Sequence, residues 1–163
     1  MANYKTKKEK IFTGEELEFI KLGEEKNYIL ISKDRDKITY QAQKRTYNFK
    51  DQKEKVRAYF LVKLIDKYKY SEKRIHLDVE VPGQKPLVTA DLVVFKDSLP
   101  YIVVECQKKG ILKSEVEKTI QTVIEKAKIL KAGYAVAVIG SQQIVFKVEK
   151  GAKKVRDVPK NYT

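Results

Sequence analysis

Cysteine and histidine each occur once in this chain, and both scarcities narrow the chemistry. A single thiol, Cys106, cannot close an internal disulfide or build a Cys-rich zinc site, so a reducing compartment fits the composition. His76 has no cysteine partner and no nearby constellation, and it reads as a strand-surface residue rather than a ligand. No apolar run approaches the roughly 18 residues of a membrane span. The N-terminal "MANYKTKKEK" lacks the apolar core of a secretory signal, so the expectation is a cytoplasmic protein with no membrane partner. Neither a G-x-x-x-x-G-K-[ST] loop nor a G-x-G-x-x-G turn occurs, which excludes ATP and dinucleotide binding by those routes. Internal repeats and low-complexity segments are absent as well.

Positive charge is what the chain has in excess. Lys and Arg number 35 against 22 Asp and Glu, a net charge of +13. Such a field attracts polyanions, nucleic acid first among them, although a lysine-rich solvated surface accounts for the same count. The basic residues gather in small clusters at 5–10, 44–57, 67–74 and 147–160 rather than in one tail. Any binding surface must therefore be assembled by folding. At 163 residues, 42% of them apolar, the chain suits one domain burying about two-thirds of its unfolded surface.

Periodicity then gives the elements. Residues 1–50 read as an N-terminal extension, with a short helix at "EELEFIKL" and strands at 28–32 and 37–43. Val56, Phe60, Leu64 and Tyr68 recur every four residues across 52–69, the apolar stripe of an amphipathic helix, with Asp51 as N-cap and Glu54 as capping-box partner. Residues 75–81 alternate Ile75, Leu77, Val79 and Val81 with His76, Asp78 and Glu80, as a half-buried strand does. The runs 87–95 and 99–107 form a hairpin buried on both faces. A second helix is expected from Ser114, boxed by Glu117, with Gly133 as its stop. Strands at 134–139 and 143–150 follow. The order from residue 51 is α-β-β-β-α-β-β: an α/β core over 51–150 with a mixed central sheet flanked by helices and one crossover. Residues 151–163 read as a polar tail or linker.

The hairpin carries the chemistry. With its turn centred on Ser98, Phe95 faces Tyr101, Val93 faces Val103, and Asp91 faces Glu105. Alternation places Asp91, Glu105 and Gln107 on one face, and a register slip of one residue would separate them. Two carboxylates about 5 Å apart at Cβ repel unless a counter-charge joins them. Mg²⁺, or Mn²⁺ in its place, resolves that conflict and points to phosphodiester hydrolysis. Solvated acids at fraying strand ends are the other reading of the same spacing. Cys106 points away from this face as a small core residue. Asp78 and Glu80 read as a polar face, with Glu80 the better candidate for an outer acid of the site.

The phrases "EKVRAYFLVKLIDKY", "HLDVEVPG", "TADLVVFKDSLPYIVVECQKKG" and "TIQTVIEKAKILKAGYAVAVIG" resemble the PD-(D/E)xK nuclease superfamily. More narrowly, residues 50–148 resemble the N-terminal nuclease domain of type I restriction enzyme R (motor) subunits. The resemblance implies a restriction-endonuclease-like αβββαβ core in a prokaryotic, Mg²⁺-dependent DNA endonuclease. It also implies partnership with a helicase-like motor domain and other restriction–modification subunits, the chain being a fragment or a small stand-alone relative. Asp91 and Glu105 become the metal ligands, and Gln107 occupies the position of the motif lysine. Glu54 matches an acidic residue of the first helix able to support the metal. Gln121 matches a helix glutamine, although Glu125 replaces the tyrosine that often follows it. Lys109 would supply the missing charge if the strand ran that far. The departure at Gln107 keeps a second reading open, a catalytically inactive nucleic-acid-binding or assembly module. A lysine-rich domain that makes only protein contacts is a third.

Overall fold

The computed structural model describes residues 14–161; the basic cluster at 5–10 lies outside the described residues. Helix α1 (Gly14–Glu25) leads into a small antiparallel sheet of β1 (Ile29–Ile31), β2 (Lys37–Tyr40) and β3 (Arg45–Asn48). Helix α2 (Gln52–Asp66) and a 3₁₀ turn (Glu72–Arg74) precede the main sheet. Its strands β4 (Ile75–Glu80), β5 (Thr89–Lys96), β6 (Leu99–Gln107), β7 (Tyr134–Ile139), β8 (Gln142–Lys147) and β9 (Lys153–Val155) lie side by side in chain order. All neighbours are antiparallel except β6 and β7, which run parallel because α3 (Lys113–Leu130) carries the chain between them. The mixed α/β core read from the sequence is the architecture found.

The sheet separates two apolar cores. Leu92, Val94, Ile102, Val104, Cys106 and Val136 pack with α2, α1 and the small sheet. Val93, Val103, Ala135 and Ala137 face Val123 and Ala127 of α3, where small side chains let helix and sheet approach. The single stripe expected on α2 is too narrow. Glu54 and every residue from Val56 to Ile65 are buried, because the extension 14–50 covers the face that the main sheet leaves open. The helices come so close that a Cβ on Gly23 would sit 2.6 Å from Val62 Cγ2 and 3.1 Å from Ile29 Cδ1. Lys63 lies inside this contact and is neutralised by Glu15 at 2.9 Å. The extension is thus one side of the core.

Local signals hold unevenly. Asp51 caps α2, accepting from the Lys53 backbone N–H. Glu54 turns inward to Arg57 and Tyr40 rather than back to its expected capping box. α3 starts at Lys113, one residue before the expected Ser114 cap, with the Leu112 carbonyl accepting from the Glu115 and Val116 N–H groups. Its C-terminus is closed by Lys131 in the left-handed region, followed by an Ala132-to-Ala127 bond. Gly133 is not the stop; its N–H donates to the Tyr101 carbonyl and ties β7 to β6.

The β5–β6 hairpin turns through two residues, Asp97 and Ser98, both at positive φ (52° and 64°), as a tight primed turn requires. Phe95 therefore faces Pro100 rather than Tyr101, and an irregularity between Val94 and Phe95 restores the expected register: Val94 opposite Ile102, Val93 opposite Val103, Leu92 opposite Val104. Residues 151–161, read as a polar tail, supply β9 and bury Val158. The Asp157 carboxylate there accepts from the Tyr68 hydroxyl at 2.6 Å.

Candidate active site

β5 and β6 carry Asp91 and Glu105 to a place where α2 begins and α3 passes. The pairing of β5 with β6 runs to Leu92 opposite Val104, the residues next to the two acids. Asp91 is 8% exposed and Glu105 6%, and their carboxyls are hydrogen-bonded to each other. Two adjacent buried carboxyls cannot both ionise at low cost, so the pair shares a proton. Burial, then the bond and charge of Asp91, push Glu105 up to about 8. Burial opposes the Asp91 carboxylate too, but the bond from Glu105, the Lys53 charge and the Cys106 N–H hold it below its ordinary value. That N–H donates to Asp91 Oδ2 at 2.8 Å.

Two lysines close on the acids from opposite sides. Lys53, in the first turn of α2, lies 3.2 Å from Asp91 Oδ1. Burial works against its ammonium, yet Asp91 and Glu105 outweigh that and raise its pKa. Lys126 of α3 contacts the Glu105 carboxylate and donates to the Thr89 carbonyl at 2.7 Å. Together these residues line a cleft of about 500 Å³, with Gln107, Glu115, Lys118, Thr119 and Thr122 completing its walls. Gln107 ends β6, half-exposed and facing the same space. Asp91 and Glu105 are the residues able to hold a cation here. Among the described residues no third carboxylate, histidine or cysteine joins them in a ligand cluster.

Behind the pair lies a buried charge network. Arg57 binds the Glu54 carboxylate through Nε and Nη2 (2.9 and 2.8 Å) and Asp78 Oδ1 through Nη1 at 2.7 Å. The same Nη1 reaches the backbone carbonyl of Asp91 at 3.3 Å. Its guanidinium stacks 4.4 Å from the Tyr47 ring centre, and the Tyr40 and Tyr47 hydroxyls donate to Glu54 and Asp78. Strands β2 and β3 of the extension are thereby joined to the strand that presents Asp91.

The other candidates fall elsewhere. Glu54 stays in the Arg57 network and does not reach the cleft. Asp78 is bound by Arg57 and Tyr47. Glu80 is exposed at the end of β4, and Gln121 is exposed on α3; neither lines the cleft. Lys109 follows the end of β6 at Gln107, in a turn that passes Gly140, so the strand does not carry it back to the acids. His76 is exposed and packs on Phe95 with ring centres 4.6 Å apart. Cys106 is fully buried, and burial, with Asp91 and Glu105 beside it, raises its thiol well above the ordinary value. Lys53, Lys126, Thr89, Lys118, Thr119 and Thr122 were not singled out from the sequence. Thr119, Thr122 and Lys126 recur at intervals of three and four, so their polar face was readable on α3, although which strand it faces was not.

Comparison with known proteins supplies the family. No curated protein matches the sequence. A family model described as type I restriction enzyme R protein N terminus (HSDR_N) matches residues 52–160, a span that takes in α2, the whole main sheet and α3. The chain belongs to the type I restriction enzyme R protein N-terminus family, and its role is restriction-related.

Proposed function

We propose that this chain is a metal-dependent DNA endonuclease domain. The observation that carries the reading is the Asp91–Glu105 pair: two buried carboxyls brought together in an open cleft, with a lysine ammonium against each. Hard carboxylate oxygens in that number suit Mg²⁺ or Mn²⁺, which binds through one or two acids and completes its shell with water and substrate phosphate. The positions taken by the Lys53 and Lys126 ammoniums show that the local field accepts positive charge. Asp91 and Glu105 would hold the ion, which supplies phosphate polarisation and a more acidic bound water.

The chain's own residues do the rest. Arg57 fixes the Asp91 backbone, and the Cys106 N–H orients its carboxylate. Gln107 donates or accepts a hydrogen bond at the cleft wall and so orients the attacking water or the scissile phosphate. Lys53 and Lys118 give the DNA backbone its counter-charges. The net charge of +13 draws the polyanion in. Contacts of this kind carry no sequence information, so specificity in a type I assembly falls to other subunits, and translocation to a motor domain. Neutral Gln107 is the observation that favours the rival reading, a DNA-binding or assembly module without cleavage.

Nicking of supercoiled plasmid separates the two. The nuclease reading expects nicking by the wild type in Mg²⁺ or Mn²⁺, its loss on chelation, and its loss in both Asp91→Asn and Glu105→Gln. Plasmid binding without nicking in any divalent ion, equal across the three proteins, supports the module instead.

A further inference from the structure

We propose that Lys126, on α3, is the catalytic cation of this cleft, its ammonium meeting a non-bridging oxygen of the scissile phosphate. The inference rests on the nuclease reading. Attack on a phosphodiester gathers negative charge on the phosphoryl oxygens, and a preorganised donor aimed there contributes about a hundredfold or more in rate. Position 107, at the strand end nearest the acids, is neutral. The charge has to come from a neighbouring element.

Three lysines line the cleft, and they differ in how they are held. Lys53 and Lys118 stand at its rim, the Lys53 side chain 43% exposed. Lys126 is 13% exposed, and its root is fixed between Val123 and Ala127, both fully buried against the sheet. Its ammonium already has two acceptors, the Thr89 carbonyl at 2.7 Å and the Glu105 carboxylate. An ammonium has three donors, so one remains for a phosphate oxygen. A cation taking Glu105 frees a second, while the Thr89 carbonyl keeps Lys126 in place. Low exposure also strengthens its field relative to the two rim lysines. Thr119 and Thr122 continue the same wall, the Thr119 hydroxyl donating to the Glu115 carbonyl at 2.8 Å.

The alternative is that Lys126 only neutralises Glu105. The two roles separate in the whole 163-residue chain with Lys126→Gln, which keeps a hydrogen bond to Thr89 without charge, and Lys126→Arg, which keeps the charge. Lys128→Met, exposed on the same helix, is the control. A phosphate-binding Lys126 competes with metal for Glu105, so Lys126→Gln should bind Mn²⁺ about threefold more tightly by calorimetry. Its affinity for a short DNA duplex in Ca²⁺, read by fluorescence anisotropy, should fall about tenfold. Nicking should fall about a hundredfold, in kcat more than in KM. Lys126→Arg should recover much of both, and Lys128→Met should match the wild type. Weaker Mn²⁺ binding in Lys126→Gln, or unchanged duplex affinity in a chain that binds Mn²⁺, overturns the assignment and leaves the nuclease reading standing. A wild-type chain that binds no Mn²⁺ even with the duplex present removes both.

Discussion

Replacing Arg57 with methionine removes the one cation that serves Glu54, Asp78 and the Asp91 carbonyl together. The Arg57 side chain is 6% exposed and that of Glu54 is 9%, so solvent cannot reach the carboxylate left behind. Stranding one member of a buried pair costs about 3–5 kcal/mol, a large part of the 5–15 kcal/mol that stabilises an ordinary domain. With a urea m-value of about 2 kcal/mol/M, the midpoint should fall by about 2 M with m unchanged. The double variant Glu54→Leu/Arg57→Met removes both charges. It should regain most of the loss, because apolar replacement of a whole buried pair is close to neutral. Urea unfolding followed by far-UV circular dichroism measures all three proteins. A loss below about 1 kcal/mol in Arg57→Met would refute the reasoning, as would a double variant no more stable than the single one.

Gly23→Ala places a methyl 2.6 Å from Val62 Cγ2 and should cost about 1–3 kcal/mol by overpacking; thermal unfolding at the wild-type midpoint would expose a wrong account of the α1–α2 contact. The Glu105 carboxyl, raised to about 8 from an ordinary 4.5, gives a pH dependence of defined sign. A raised carboxyl stabilises the fold fully below its unfolded pKa, and that stabilisation is lost as pH rises through the folded value. In chelator, the wild type should therefore lose of the order of a few kcal/mol between about pH 5 and pH 8 relative to Glu105→Gln. Parallel stability–pH curves for the two proteins would contradict the shared proton.

The main sheet and its helices were legible because their signals are local. Period-two alternation gave β4, continuous apolar β-branched runs gave β5, β6 and β7, and helical spacing of apolar residues gave α2 and α3. The register of the hairpin as far as Leu92 and Val104 was legible for a subtler reason. The turn lies half a residue from where a Ser98 centre puts it, but the irregularity beside Phe95 cancels the offset, and burial of Val93 and Val103 forbids a slip. Chain-distant contacts left no local trace. β3 and β9 are short, and their polar composition resembles that of loops. Burial of α2 all round, with Arg57 and Lys63 inside it, depends on an extension that precedes the segment matching the family. Lys53 and Lys126 reach the acids from two helices, and only the folded topology brings them together. Where Glu54 and Lys109 lie was not legible for related reasons: one is held by Arg57 and Tyr40, the other follows the strand end at Gln107.

Binding of Mn²⁺, followed by calorimetry with and without a short DNA duplex, tests the central claim most directly. One ion per wild-type chain, lost in both Asp91→Asn and Glu105→Gln while each keeps its fold, is the result expected of a two-carboxylate metal centre. A wild-type chain that takes up no ion at millimolar Mn²⁺ with DNA present would contradict it, as would an ion that both variants retain.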